Sequence, residues 1–337
     1  MPNLPVLDIA GFLEDPSGAA ASRFVRELID TCTGTGFCYL TGHGIDPALE
    51  REAMAVAEAF FSLPEPERLS IVNTNTPHFR GYTRLGMEHT NGKRDWREQI
   101  DVGPERDAIP QRPGDPPWLR LRGPNQWPEA VPRMRPAITS WMSAMAELGE
   151  AVLRALAVGL GQAPDHFAPV VTPDPEVLVK IIRYPAQAAG EQAHQGLGLH
   201  QDSGLLSFIL QDSTGGLQVE SGGTLLDATP IPGSYVLNLG EMLQVATHGV
   251  LRATRHRVVS APSGNGRISL AYFFNPCMES KLEPIELPDA LRATATGGQN
   301  ANPDDPIFSV YGENWLKFRL RSHPDVAQKH HADLLGS

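Results

Sequence analysis

Between residues 177 and 287 the chain breaks into short runs of β-branched and aromatic residues, parted by Gly, Ser, Pro and Asn. The runs are 177–184, 205–210, 217–219, 235–239, 257–260 and 268–274. Many short strands with tight turns between them predict a sandwich or jelly roll. The 32 glycines and 30 prolines among 337 residues supply the turns such a fold needs.

The first half reads differently. Residues 6–9 and 36–40 have the pattern of short apolar strands. Ser22 can cap a helix carrying Phe24, Val25, Leu28 and Ile29, and Asp46-Pro47 caps a second helix that reaches Phe60. Residues 72–132, rich in Pro, Gly, Arg and Asn, read as loop with short extended pieces such as 98–102. Met134, Ile138, Trp141, Met145, Leu148, Val152 and Leu156 recur at steps of three and four, which predicts a core helix over 133–161. Residues 293–306 read as an exposed linker, followed by a closing helix with Trp315, Leu316, Phe318 and Leu320. The expected organisation is an α/β region over 1–175, a β core over 176–290 and a linker plus helix over 291–337, integrated in one domain.

Composition narrows the partners. A net charge of −11 opposes binding to nucleic acid or to an anionic membrane surface. The start, MPNLPVLDIAGF, lacks a basic segment followed by an apolar one, and no apolar run reaches the length of a membrane span. Three cysteines without a CxxC pair fit a reducing compartment. The expectation is a cytoplasmic monomer acting on a small molecule.

Chemistry enters at His200-Gln201-Asp202. Residues i and i+2 of a strand share a face, so an H-x-D at a strand end presents imidazole and carboxylate together. The motif alone has little weight: chance predicts roughly 0.6 occurrences in this composition, and it also occurs at His323/Asp325 and His331/Asp333. Those two lie in what reads as a polar C-terminal tail. His200/Asp202 instead precedes His256, which heads an apolar strand with about three strand signals between. Two His and one carboxylate on one face leave cis positions open, as a non-haem Fe(II) oxygenase requires. His248 competes for the third place from a poorer strand context. Arg267 and Ser269, again i and i+2, form a fork and hydroxyl suited to a carboxylate.

The segments LGLHQDSGLLSFILQD, GGLQV, YVLNLGEMLQVATHGVLRATRHRVV and GRISLAYFFNP resemble those of the iron(II)- and 2-oxoglutarate-dependent dioxygenases of the isopenicillin N synthase branch. PVLDIAGF, GFCYLTGHGID and VYGENWLKFRLRSHP extend the resemblance over nearly the whole chain. It implies a mainly β fold with flanking α: a double-stranded β-helix (jelly-roll) core with helices packed on one sheet. It implies His200, Asp202 and His256 as iron ligands, Arg267 and Ser269 on the distal carboxylate of 2-oxoglutarate, and Tyr184 beside that cosubstrate. Fe(II), 2-oxoglutarate and O2 would drive hydroxylation, desaturation or ring closure of a small organic substrate, such as a natural product or an amino-acid-like molecule. A 2-oxoglutarate-independent oxidase, an ethylene-forming fragmentation of 2-oxoglutarate and a non-catalytic jelly-roll binder are the rival readings.

The stretch 77–88 matches a part of the family that lies over the active-site mouth. Phe79, Tyr82, Arg84 and Glu88 are thus candidate substrate contacts, with Phe318 on the closing helix. Arg183, in Ile182-Arg183-Tyr184-Pro185, departs from the usual Asn-Tyr-Tyr-Pro and joins that candidate group. His43 reads as packed in a turn, and His194 as solvated.

Overall fold

A computed structural model describes residues 4–186, 194–260, 266–297 and 306–335 of the chain. The strands are β1 (Val6–Asp8), β2 (Phe37–Thr41), β3 (Gly81–Thr83), β4 (His89–Thr90), β5 (Lys93–Arg94), β6 (Glu98–Val102), β7 (Val177–Tyr184) and β8 (Gln195–His200). They continue with β9 (Leu206–Gln211), β10 (Leu217–Ser221), β11 (Thr224–Asp227), β12 (Tyr235–Leu239), β13 (His256–Val259) and β14 (Arg267–Phe274).

Two sheets face each other. The large one runs β1-β2-β12-β9-β14-β7-β6-β3, and the small one β11-β10-β13-β8. Strands alternate their side chains, so the central strands of the large sheet, β2, β12, β9, β14 and β7, feed two cores. One face packs Ile182, Tyr184, Ile209 and Ala271 toward Leu197, Leu217, Val219 and Val258 of the small sheet. The other carries Ile181, Phe208, Leu270, Tyr272 and Phe274 into the helical layer. This is the jelly roll with helices on one sheet that the sequence predicts.

The helical layer consists mainly of α1 (Ala10–Glu14), α2 (Ala19–Gly34), α3 (Pro47–Phe61), α4 (Glu65–Leu69) and α5 (Met134–Gly159). All seven residues of the α5 stripe are buried, and Trp141 Nε1 donates to Tyr235 Oη at 3.0 Å. Asp46 caps α3 by accepting from Ala48 N at 2.8 Å, with Pro47 in the first turn. Gly18, not Ser22, is the cap of α2; Ser22 lies inside the helix with its hydroxyl on Gly18 O. Later come α6 (Ala168–Val171), α7 (Glu241–Ala246), α8 (Asp289–Arg292), α9 (Tyr311–Ser322) and α10 (Pro324–His330).

Strands from the first hundred residues extend the large sheet at both edges, so that region completes the core rather than sitting beside it. The segment 72–132 holds more order than its composition suggests. Its Asn91-Gly92 pair, both at positive φ, turns the β4–β5 hairpin. The C-terminal segment is not a polar tail: His323 and His331 are fully buried, and His331 Nε2 lies 2.9 Å from Pro77 O. Most of the expected linker, at 298–305, lies outside the described residues. Among the described residues no helix is long and apolar enough to cross a membrane.

Candidate metal centre and its cavity

Register brings the three candidate ligands together. In the small sheet His256 of β13 pairs directly with His200 of β8, and their ring centroids lie 4.2 Å apart. Asp202 follows β8 by two residues and turns Oδ1 toward both rings, 3.5 Å from His200 Nε2 and 3.8 Å from His256 Nε2. One donor atom from each of the three residues falls within a 4.8 Å cluster.

The remaining polar atoms of the triad are tied off. His200 Nδ1 lies 2.8 Å from Gly198 O and His256 Nδ1 3.2 Å from Thr254 O. A ring that donates Nδ1–H to a carbonyl presents Nε2 as a lone pair. Asp202 Oδ2 accepts from Ser207 Oγ at 2.5 Å and Asn238 Nδ2 at 2.7 Å, which leaves Oδ1 free. Burial, helped by the neighbouring His200, pushes His256 down to about 4 against the pull of Asp202. The ring is therefore neutral at neutral pH, the form that ligates. Burial would raise the Asp202 carboxyl, but the two imidazoles and the Ser207 hydroxyl hold it well below the usual carboxylate range. Two imidazole nitrogens and one carboxylate oxygen on one side of an open space are a donor set that fits Fe(II).

Deeper in the cavity stands a buried cation. Arg267 opens β14 opposite Tyr184 of β7 and lies over that ring, 5.1 Å from its centroid. Its Nη1 donates to Ser269 Oγ at 2.9 Å and its Nη2 to Gln211 Oε1 at 3.3 Å, while Nε has no partner. Burial lowers its pKa, against the opposing influence of Tyr184 and Asp212, and a guanidinium stays protonated through such shifts. Among the described residues it makes no salt bridge with a carboxylate. A charge buried this way is costly until an anion reaches it.

The wall facing the triad is ionic. Lys180 Nζ lies 2.6 Å from Glu88 Oε1 and 3.8 Å from Asp101 Oδ2. Arg97 Nη2 lies 3.0 Å from Glu88 Oε2 and 3.5 Å from Asp95 Oδ2. Arg319 Nη1 donates to Asp101 Oδ2 at 2.6 Å behind them. Burial opposes ionisation of Glu88, but Arg97 and Lys180 overcome it and hold the carboxyl well below its usual range. Trp315 and Phe318 of α9, ring centroids 5.8 Å apart, add an aromatic surface to the same cavity.

Glu88 and Phe318 thus stand on the cavity wall, whereas Phe79, Tyr82, Arg84 and Arg183 do not. Phe79 is fully buried against His331 and Arg319. Tyr82 Oη donates to Glu98 Oε2 at 2.5 Å on the helix side of the large sheet. Arg84 is exposed. Arg183 differs in parity from Ile182 and Tyr184, so it leaves the sheet on the opposite face, where Nε donates to Glu98 at 2.6 Å and Nη1 to Phe61 O at 2.9 Å. His248 is exposed and outside the donor cluster. His43 packs edge-on against Tyr235, and His194, though exposed, stacks on Trp96 at 4.4 Å. Sequence reasoning passed over Lys180 and Arg97. The signal for Lys180 was present: an ionisable residue with apolar neighbours on both sides in VLVKIIRY, four residues before Tyr184 and so on the same strand face.

Comparison with known proteins agrees with this geometry. Residues 175–276 match the 2OG-Fe(II) oxygenase superfamily, and residues 4–130 match the non-haem dioxygenase in morphine synthesis N-terminal family. A 2-oxoglutarate-dependent dioxygenase, frbJ, of Dothideomycetidae sp. (strain 11243) is 34% identical, covering 97% of this chain and 91% of its own length. The homoarginine-6-hydroxylase 2-ODD-C23 of Glycine max is 32% identical, with 93% and 95% covered. A full-length Neurospora crassa protein, solved in complex with alpha-KG, superposes with a TM-score of 0.72 at 28% identity, over 86% of this chain and 91% of that one. The chain belongs to the iron(II)- and 2-oxoglutarate-dependent oxygenase superfamily.

Proposed function

We propose that this oxygenase holds Fe(II) through His200 Nε2, Asp202 Oδ1 and His256 Nε2 and oxidises a small zwitterionic substrate, an amino acid or a compound derived from one. Iron bound there supplies O2 activation at the expense of 2-oxoglutarate, which leaves as succinate and CO2. Arg267 takes the distal carboxylate of 2-oxoglutarate, Ser269 steadies the guanidinium, and Tyr184 packs beneath it. The carrying observation is the buried Arg267, which meets no carboxylate in a salt bridge among the described residues, in the same cavity as the convergent His-Asp-His donors.

The substrate class rests on the opposite wall. Glu88 faces an ammonium, and Lys180 and Arg97 face a carboxylate, so each end of a zwitterion meets its counter-charge out of water. The homoarginine-6-hydroxylase relatives support the same class. Trp315 and Phe318 cover the apolar part of the molecule and exclude water.

The test is a panel of amino acids, with homoarginine, arginine and lysine in it, beside neutral phenols and pyrimidines. The expected result is succinate release that needs 2-oxoglutarate and matches hydroxylated amino acid one for one. Turnover without 2-oxoglutarate would replace the reading by an oxidase. Ethylene in the headspace without added substrate would replace it by fragmentation of 2-oxoglutarate. Coupled turnover of neutral compounds alone would remove the zwitterion.

A further inference from the structure

The β4–β5 hairpin does more than line the cavity with His89, Thr90 and Asn91. It is bolted to the strand that carries His200. Asp95, just after β5 and fully buried, accepts from Gly198 N at 3.1 Å and from Gln195 Nε2 at 2.8 Å through Oδ1. Its Oδ2 accepts from Thr90 Oγ1 at 2.6 Å. Trp96 N donates to Gln195 O at 2.7 Å, and Asn91 Nδ2 to Leu199 O at 3.0 Å. The fit at Gly198 is close: a Cβ there would lie 2.7 Å from Gln195 Nε2 and 2.9 Å from Thr90 Cγ2, so these side chains would have to shift to admit one.

Gly198 is also the residue whose carbonyl receives His200 Nδ1–H. One residue therefore has its N–H fixed by Asp95 and its C=O spent on the imidazole. With that N–H released, the φ and ψ of this glycine would be held less firmly, and with them the direction of the Gly198 carbonyl and the aim of His200 Nε2. We infer that Asp95 is a positioning residue for the metal centre, setting the direction of His200 through the backbone of Gly198. A group that orients a ligating imidazole typically influences metal affinity ten- to a hundredfold.

The inference rests on the triad being the metal site, so the experiment separates the two. Fe(II) is titrated anaerobically into metal-free wild type, Asp95→Ala, Asp95→Asn, His256→Ala and Glu98→Gln. Amide exchange over 195–200 is followed in the metal-free proteins. Asp95→Ala is expected to weaken Fe(II) binding at least tenfold and to speed exchange at 195–200. Asp95→Asn, which keeps an acceptor oxygen for Gly198 N, is expected to recover most of both. Glu98→Gln, a buried change on the other face of the sheet, is expected to lower the Tm while leaving both readouts at wild-type values. Should Asp95→Ala not fold, Asp95→Ser decides: its shorter side chain keeps a polar group for Thr90 but draws the acceptor back from Gly198 N, and it is expected to weaken Fe(II) severalfold. Wild-type Fe(II) affinity in Asp95→Ala, or in Asp95→Ser where that variant decides, overturns the positioning role. So does a loss equalled by Glu98→Gln at the same Tm. Undiminished Fe(II) binding in His256→Ala would instead overturn the triad.

Discussion

The cavity has two walls built on opposite principles. On one, His200, Asp202 and His256 each spend one of their two side-chain polar atoms on the protein, through Gly198 O, Thr254 O, Ser207 and Asn238. On the other, the carboxylates of Glu88, Asp95 and Asp101 are matched by the cations of Arg97, Lys180 and Arg319. The first wall leaves unused donor atoms aimed at a single point, so it is incomplete without a cation. The second is already neutral, so a zwitterion of the kind proposed would dock there by exchanging partners rather than by net attraction. This difference explains how a chain of charge −11 can hold a dicarboxylate cosubstrate. The acidic average is irrelevant where a metal site and Arg267 set the local field.

The sharpest way to break the comparison is at the incomplete wall. His256→Ala is expected to lose Fe(II) binding and all 2-oxoglutarate-dependent turnover. His248→Asn, at an exposed position with φ of 53° that asparagine tolerates, is expected to keep both. Fe(II) titration with a succinate assay decides, and the reverse pattern would move the third ligand to His248. Next in size is the clamp. Arg267→Ala is expected to raise the 2-oxoglutarate requirement by thirtyfold or more, since breaking one side of a buried charged pair costs on the order of 2–5 kcal/mol. An unchanged requirement would place the distal carboxylate elsewhere.

How legible these walls were depends on sequence distance. His200 and Asp202 are two residues apart, as are Arg267 and Ser269, and period-two geometry places each pair on one face without tertiary information. The ionic wall is drawn from positions 88, 95, 97, 101, 180 and 319. Glu88 is reached through the resemblance and Lys180 through its place in a strand run, but positions 95, 97, 101 and 319 each read alone as solvated surface charges, and the register that sets Asp101 of β6 opposite Lys180 of β7 is what joins the two sequence regions. The stretch 77–88 failed for a related reason. Gly81–Thr83 pairs with β6 and faces Phe60 and Glu98, so Tyr82 is drawn into the helical layer while only Glu88 reaches the cavity.

Arg183 gives the smaller test of that parity argument. It lies next to Tyr184 in sequence but on the far face, sharing Glu98 with Arg68 and Tyr82. Arg183→Met is expected to cost stability, about 1–3 kcal/mol for a buried acceptor deprived of one partner, and to leave the KM for 2-oxoglutarate within about twofold. A large rise in KM with an unchanged Tm would return Arg183 to the cosubstrate site.

The smallest expected effect comes from the back of the ionic wall. His323 is buried 3.8 Å from Asp101 Oδ2, with Nδ1 2.8 Å from Ser322 Oγ. Burial, together with the Arg319 and Lys180 cations, pushes it down to about 3 despite Glu88 and Asp101. The unfolded chain takes up this proton as pH falls past the ordinary histidine value near 6.5, and the folded chain does so only near 3. Its contribution is therefore complete above about 6.5 and drains away as pH falls toward 3. His78 and His331, also lowered by burial, act in the same direction. His323→Asn keeps a polar group for Ser322 and removes the titration. Between pH 7.5 and pH 5, above the range in which the carboxylates of this wall protonate, the variant is expected to lose less Tm than wild type, by on the order of a few degrees. Parallel losses would mean that His323 already carries its proton in the folded protein. The wall would then hold one more positive charge than its pairing shows, and its neutrality, the basis of the contrast with the metal site, would fail.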